Sequence, residues 1–279
     1  MRYPDIYVIG AMRAGTTQFY NLLLDHPLIS LPQMKELDIF RHENLSHGSL
    51  RKLLARQFES SKNIWVDVSP NYTKRQYFPD VAERIKIANS SAKFIFLARC
   101  PIARAISELV HSASSNPYEI NPSDYSDGSQ WRKIIDSSRY SWQLAPYLER
   151  FDRSMFIFFE FENLISHPDQ TGKALSQFLG VEIEFSDSLP QAKNSSTELK
   201  AMPPIWFRIR NSPVGTALRS MVSRDTIGHV KRLVSKLPTR PPQVPEISDR
   251  NLEQMKAYLS DDAQAFRQLS GLAGKSWLV

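Results

Sequence analysis

The sequence predicts an α/β fold: three layers, α/β/α, around a central parallel sheet, with a P-loop-like phosphate-binding loop. Three observations predict it. Strand and helix patterns alternate from residue 6 to residue 180. The strand segments 6–9 and 94–98 are apolar throughout rather than alternating, as strands buried on both faces are. The first of them runs into a stretch with two glycines, Gly10 and Gly15, that opens a helix.

The elements follow in order. Segment 6–9 is a short buried strand ending at Gly10. Segment 17–24 carries apolar residues at helical spacing and stops at Asp25-His26-Pro27. A second helix is predicted over 50–58, and a strand over 64–68 ended by Pro70. Segment 79–87 reads as a helix with proline in its first turn, 94–98 as a strand, and 101–110 as a helix opening on Pro101. Segment 116–130, rich in Asn, Pro, Ser, Asp and Gly, reads as a surface loop. A helix over 140–151, a strand over 155–160 and a helix over 169–179 stopped by Gly180 complete the alternation. Beyond Gly180 the pattern weakens until an amphipathic helix at 251–269. The expectation is one domain over 1–279, with an α/β core at 5–185 and an irregular basic region and C-terminal helix at 186–279.

Composition narrows the class. With 279 residues, a formal charge of +6, 42% hydrophobic and 23% charged residues, the chain is an ordinary globular protein, not a disordered tail, a collagen or a coiled coil. The single cysteine, Cys100, excludes an intramolecular disulfide and a Cys-based zinc site, and favours a reducing compartment. The six histidines show no metal-ligand spacing. No signal-peptide pattern opens the sequence and no apolar stretch reaches the roughly 18 residues of a membrane helix, so a soluble, cytoplasmic protein is expected. The positive charge gathers in 200–240, where nine Lys and Arg residues stand against Asp225 alone. That stretch reads either as a solvated face or as a surface for an anionic partner.

Gly10-Ala11-Met12-Arg13-Ala14-Gly15-Thr16-Thr17 has the glycine spacing of a P-loop. Glycines let backbone N–H groups curl around an anion, and the helix N-terminus adds its positive end. The P-loop signature then asks for Lys and Ser/Thr after the second glycine. Here Thr16 and Thr17 follow it, and the cation, Arg13, precedes it. The loop should hold phosphate while lacking the lysine that reaches the β- and γ-phosphates of ATP. An ordinary strand–helix turn is the plain alternative.

At these residues the chain resembles the sulfotransferases that use 3′-phosphoadenosine 5′-phosphosulfate (PAPS), especially the glycan-modifying, heparan-sulfate-type and bacterial members. The loop looks like their K-x-G-T-T stretch with Arg13 in the lysine position. Lys35-Glu36-Leu37-Asp38-Ile39-Phe40 is similar to K-E-x-x-F-F, and Asp67-Val68-Ser69-Pro70-Asn71-Tyr72 resembles E-K-S-P-x-Y. The run from Arg99 to Ser107 matches the 3′-phosphate motif R-x-P-x-x-R-x-x-S. The ordered set covers residues 5–185. The resemblance implies PAPS as donor, PAP as product, no required metal, and in-line transfer of a sulfuryl group to a hydroxyl. The acceptor is then a glycan or glycolipid, an anionic one included. No nucleic-acid partner is expected, and 200–240 is a candidate contact for a membrane surface or carrier.

Roles follow from the same resemblance. Arg13, Ala14, Gly15, Thr16 and Thr17 would hold the 5′-phosphosulfate. Arg99 and Ser107 would hold the 3′-phosphate, since an arginine forks two phosphate oxygens and a serine hydroxyl donates a third bond. Lys193, in a polar loop where the family covers the nucleotide, is a further contact. Glu36 occupies the position of the catalytic base and Arg13 offsets charge on the leaving oxygen. Arg104 reads as structural. Two departures stand out. The lysine expected before the Ser-Pro is Val68, for which Lys35 or Lys74 is a substitute. The strand segment 64–72 holds no histidine base, which favours the glutamate; Asp67 is a fallback base or a supporting partner, and His111 reads as an ordinary helix histidine. The alternatives are a P-loop-type nucleotide kinase or hydrolase, and a noncatalytic protein binding nucleic acid or membrane through 200–240.

Overall fold

The structure, a computed structural model, describes residues 2–41, 47–115, 120–185 and 244–279. These fall into two compact units, one drawn from residues 1–105, 133–192 and 253–279, the other from 106–132 and 193–252.

The first unit holds the predicted parallel sheet. Strands β1 (Ile6–Gly10), β2 (Ile29–Ser30), β3 (Ile64–Val68), β4 (Lys93–Ala98) and β5 (Phe156–Glu160) are all parallel, in the order β2-β3-β1-β4-β5. The chain builds to one side of β1, then returns past it to add β4 and β5. In such sheets ligands bind at the carboxyl ends of the strands where the order reverses, here beside β1. Every residue of β1 is buried, as its unbroken apolar run required.

The helices are α1 (Thr16–Leu23), α2 (His47–Gln57), α3 (Val81–Ala88), α4 (Pro101–Ser115), α5 (Gln130–Asp136), α6 (Tyr140–Leu148), α7 (Phe161–Ser166), α8 (Pro168–Leu179) and α9 (Asp249–Ser270). Most match the predicted spans within a few residues. Helix α3 starts two residues later than expected, because Asp80 takes the position before the first helical residue, its carbonyl accepting from the Arg84 N–H at 3.0 Å. Helices α5 and α7, of seven and six residues, are too short to show a periodic pattern. Helix α2 starts three residues before the predicted span 50–58, and α5 begins where the predicted surface loop 116–130 ends.

An aromatic cluster fills the first unit. Phe94 stacks on Phe156 at 4.8 Å between ring centres, and Phe266 of α9 lies 5.7 Å from both Phe96 and Phe158. Phe266 is fully buried, which alone contributes about 2–3 kcal/mol by removal of apolar surface from water. One turn earlier, Asp262 accepts the backbone N–H groups of Ser141 and Trp142 at 3.0 and 2.8 Å. It thereby caps α6 from another helix, where Arg139 offers no capping side chain of its own. In the second unit, Asn251 donates to Ser123 Oγ at 2.9 Å, and Ser248 caps the start of α9. Among the described residues no helix is long and apolar enough to cross a membrane.

Asp262→Ala removes acceptors for two N–H groups at once. Urea unfolding is expected to show a loss of about 1–2 kcal/mol.

Candidate active site

The site is built around the loop after β1. Its Ala11 N–H donates to the carbonyl of Leu97 at 2.7 Å, tying it to the end of β4, and the Ala14 N–H turns back to the Ala11 carbonyl at 3.1 Å. Arg13 and Gly15 both take left-handed backbone, φ 69° and 86°. At Gly15 this conformation comes with a close approach: a Cβ there would lie 2.4 Å from the ring of Phe161, the first residue of α7. Only glycine meets both demands. Helix α1 then starts at Thr16 with no acidic residue in its first turn and no capping side chain. No acidic residue of its own first turn offsets its positive end, which suits an external anion.

Phe161 also meets the second predicted cation. The Arg99 guanidinium carbon lies 5.1 Å from the Phe161 ring centre, so one ring packs against both the loop glycine and the arginine after β4. The Arg99 carbonyl accepts the Tyr140 hydroxyl at 2.8 Å. Arg104 is fully buried; it donates to Ser138 Oγ at 2.5 Å, to the carbonyl of Ile134 and, at 3.5 Å, to the carbonyl of Met12 in the loop. This matches its structural reading. Ser107 and His111 lie on α4 in the second unit, Ser107 half-buried. Lys193 and the basic stretch 200–240 lie outside the described residues.

The acidic segment comes to the same loop. Pro32 accepts the Tyr20 hydroxyl of α1 at 3.0 Å, and Gln57 of α2 accepts the Met34 N–H at 3.0 Å. So held, Lys35 extends its ammonium between Thr17 Oγ1 at 2.8 Å and Glu36 Oε1 at 3.0 Å. Glu36 therefore lies one cation away from the phosphate-type loop. Val68 is buried in β3 and offers nothing to the site; of the two lysines considered in its stead, Lys35 is joined to both groups.

Glu36 and Asp38 have left-handed backbone, φ 66° and 52°. Non-glycine residues adopt it at a cost of about 1–2 kcal/mol each, so surrounding contacts must hold them. Asp38 is held at both ends. Its N–H donates to Ser69 Oγ at 3.1 Å, and its carboxylate accepts Asn71 Nδ2 at 3.0 Å and Arg41 at 2.5 Å. Ser69 in turn donates to Asp67 Oδ1 at 2.7 Å, and the Tyr72 hydroxyl donates to Asp67 Oδ2 at 2.8 Å. Asp67 has no exposed surface. Burial pushes its carboxyl up to about 7, against the two hydroxyl bonds and with the charges of Asp38 and Glu36 adding to the rise. A group with both oxygens occupied and no solvent contact does not reach a substrate, so Asp67 is a supporting residue rather than a base.

The arrangement joins an anion cradle, a lysine and a carboxylate in one row. It can hold an anionic donor and accept a proton from a neighbouring hydroxyl. Motif reading gave no role to Phe161 or to Tyr72, the last residue of the segment similar to E-K-S-P-x-Y. Phe161 directly follows the end of β5, which was a usable signal of a strand-end position; the Tyr72–Asp67 pairing had none, because it depends on a turn bringing them together.

Two outcomes follow. Gly15→Ala forces the Phe161 ring to move and strains the loop; calorimetric binding of PAP is expected to weaken at least about tenfold. Asp67 keeps its proton in the fold to about pH 7 but titrates near its ordinary 3.8 when unfolded. The folded chain then binds more protons between those values, and stability falls as pH rises through that window. Urea midpoints are expected to drop from about pH 4.5 to about pH 7.5, and Asp67→Asn to flatten that slope.

Comparison with known proteins gives the family and the fold. The chain resembles the mouse heparan sulfate glucosamine 3-O-sulfotransferases 3A1 and 5, with 24% identity to each over 191 and 195 residues. Those matches cover 66% of this chain and 47% and 55% of the relatives, so the chain spans about half the length of the curated relatives it matches. A solved sulfotransferase from Alicyclobacillus acidocaldarius shares the fold over 99% of both chains, with a TM-score of 0.60 and 18% identity. The model of the sulfotransferase domain family matches residues 3–203, a span that contains the loop after β1, the Glu36 segment and Arg99. With most of its length under that match, the chain belongs to the sulfotransferase family.

Proposed function

We propose that the protein transfers a sulfuryl group from PAPS to a hydroxyl of a glycan or glycolipid acceptor. The observation that carries this reading is the Lys35 bridge, which links Thr17 of the anion loop to Glu36. An acceptor sugar hydroxyl is far too weak an acid to react unaided, so a base within hydrogen-bond reach is required. Glu36 is that base, taking the hydroxyl proton on a carboxylate oxygen. The residues fit the donor: a loop whose glycine admits no Cβ, a helix with no acidic residue in its first turn, and Arg99 at the neighbouring strand end. The donor supplies an activated sulfuryl group on a bisphosphate leaving group, which cations and N–H groups neutralise without a metal.

In this reading Arg13, the N–H groups of Ala14 and Gly15, and the hydroxyls of Thr16 and Thr17 hold the 5′ end. Arg99 grips the 3′-phosphate, with Ser107 and Lys193 as the further contacts that the family motifs imply. Lys35 pairs with one oxygen of Glu36 and carries positive charge to where negative charge gathers. The acceptor class rests on the glutamate base and on the glycan sulfotransferases among the relatives.

The test is sulfate transfer from labelled PAPS to a panel of glycan acceptors. Glu36→Gln is expected to lower kcat at least about 100-fold while binding PAP normally. Arg99→Ala is expected to weaken PAP binding about 10- to 100-fold, consistent with loss of a bidentate phosphate contact. Transfer at the wild-type rate by Glu36→Gln removes it as base.

A further inference from the structure

We infer that Asp67, which touches neither donor nor acceptor, is a positioning residue: through Ser69 and Tyr72 it holds the left-handed Glu36–Asp38 segment in its reactive place. The inference rests on Glu36 as base and goes beyond it by naming what orients that base.

The chain of contacts is continuous. Asp67 sits on β3 beside Tyr7 of β1, sealed from solvent. It accepts one hydroxyl from Ser69 and one from Tyr72. Each hydroxyl has a single hydrogen, and both point inward to the carboxylate. Their lone pairs are then left for the segment that carries Glu36. Ser69 Oγ accepts the Asp38 N–H at 3.1 Å, and the Tyr72 hydroxyl accepts the Phe40 N–H at a long 3.5 Å. Two backbone N–H groups flanking the strained turn are thus fixed by two hydroxyls whose rotation Asp67 sets. Without a carboxylate behind them the hydroxyls turn freely, and one that directs its hydrogen at an amide N–H repels it.

Charge fits this role. The groups facing Asp67 are Tyr7 from β1, Ser69 and Tyr72 from the strand end, and Asp38 and Glu36 from the acidic segment. None is a cation. A carboxylate kept in such a place lowers fold stability above neutral pH, and fold packing alone would favour an apolar side chain there. The strained Glu36–Asp38 segment and the buried carboxyl of β3 meet through Ser69, the signature of a site that spends stability on geometry.

The test uses the full chain and three variants, Asp67→Asn, Ser69→Ala and Tyr72→Phe, the last two guarding against a folding failure of the first. Without any donor present, hydrogen exchange of the peptide spanning residues 36–41 is expected to speed up about tenfold or more in each, with exchange in α8 unchanged. PAP affinity by calorimetry should stay within about twofold, since the phosphate loop is untouched, while kcat falls about 10- to 100-fold. The wild-type kcat should rise through about pH 7 as Asp67 ionises, and Asp67→Asn should lose that limb. Unchanged exchange and kcat in all three, with Glu36→Gln inactive, overturns the inference but leaves the base in place. A loss of PAP affinity in proportion to kcat also overturns it, as a merely structural effect. If Glu36→Gln keeps the wild-type rate, the base reading itself fails, and this inference with it.

Discussion

A parallel sheet covered on both faces leaves its strand ends as the place for polar chemistry, and the rest of this molecule follows from that constraint. Strands β1, β3 and β4 run the same way, so their carboxyl ends deliver three loops to one edge. From β1 comes the Gly10–Gly15 loop, from β3 the Ser69–Tyr72 turn, from β4 Arg99. No long-range device is needed to gather them; parallel direction does it. The backbone pairing also continues past the strands, with the Ser69 N–H bonded to Val8 and the Ala11 N–H to Leu97. Both loops therefore leave the sheet at fixed angles.

Packing makes the edge rigid. Phe161 presses on Gly15 from one side and receives Arg99 near its ring, so the loop after β1 and the arginine after β4 share a wall. Behind them, buried Arg104 spends its donors on carbonyls and on Ser138, one of those carbonyls belonging to Met12 in the loop. A buried guanidinium is costly unless its donors are satisfied, and here satisfying them braces the loop from below. The contrast between Arg99 and Arg104, five residues apart, is a contrast of burial rather than of residue type.

The acidic segment shows the opposite economy. Glu36 and Asp38 sit in backbone that costs free energy, beside a buried carboxyl that costs more. The compensation lies in contacts from α1 and α2 to the residues just before the segment and from the β3 end to Asp38. Lys35 completes the row by pairing Glu36 with Thr17. The apolar core, with its stacked Phe94, Phe156 and Phe266, supplies the stability that such a segment draws on.

The parallel sheet, the loop after β1 and the cations Arg13 and Arg99 were legible in the residues, while Glu36 was singled out only by the family resemblance. Apolar runs, glycine spacing and strand–helix punctuation are local properties, and local properties survive in a one-dimensional string. Short helices α5 and α7 escaped because a periodic pattern needs more turns than they have. What only the tertiary structure decided is the company each residue keeps. That Lys35 bridges Thr17 and Glu36, that Phe161 backs Gly15, and that Asp67 is sealed and doubly hydrogen-bonded depend on groups far apart in sequence meeting at one sheet edge. Burial and hydrogen-bond direction exist only once the strands are paired, and they separate the half-buried Glu36, its lysine partner and the sealed Asp67, which in the sequence are merely charged residues.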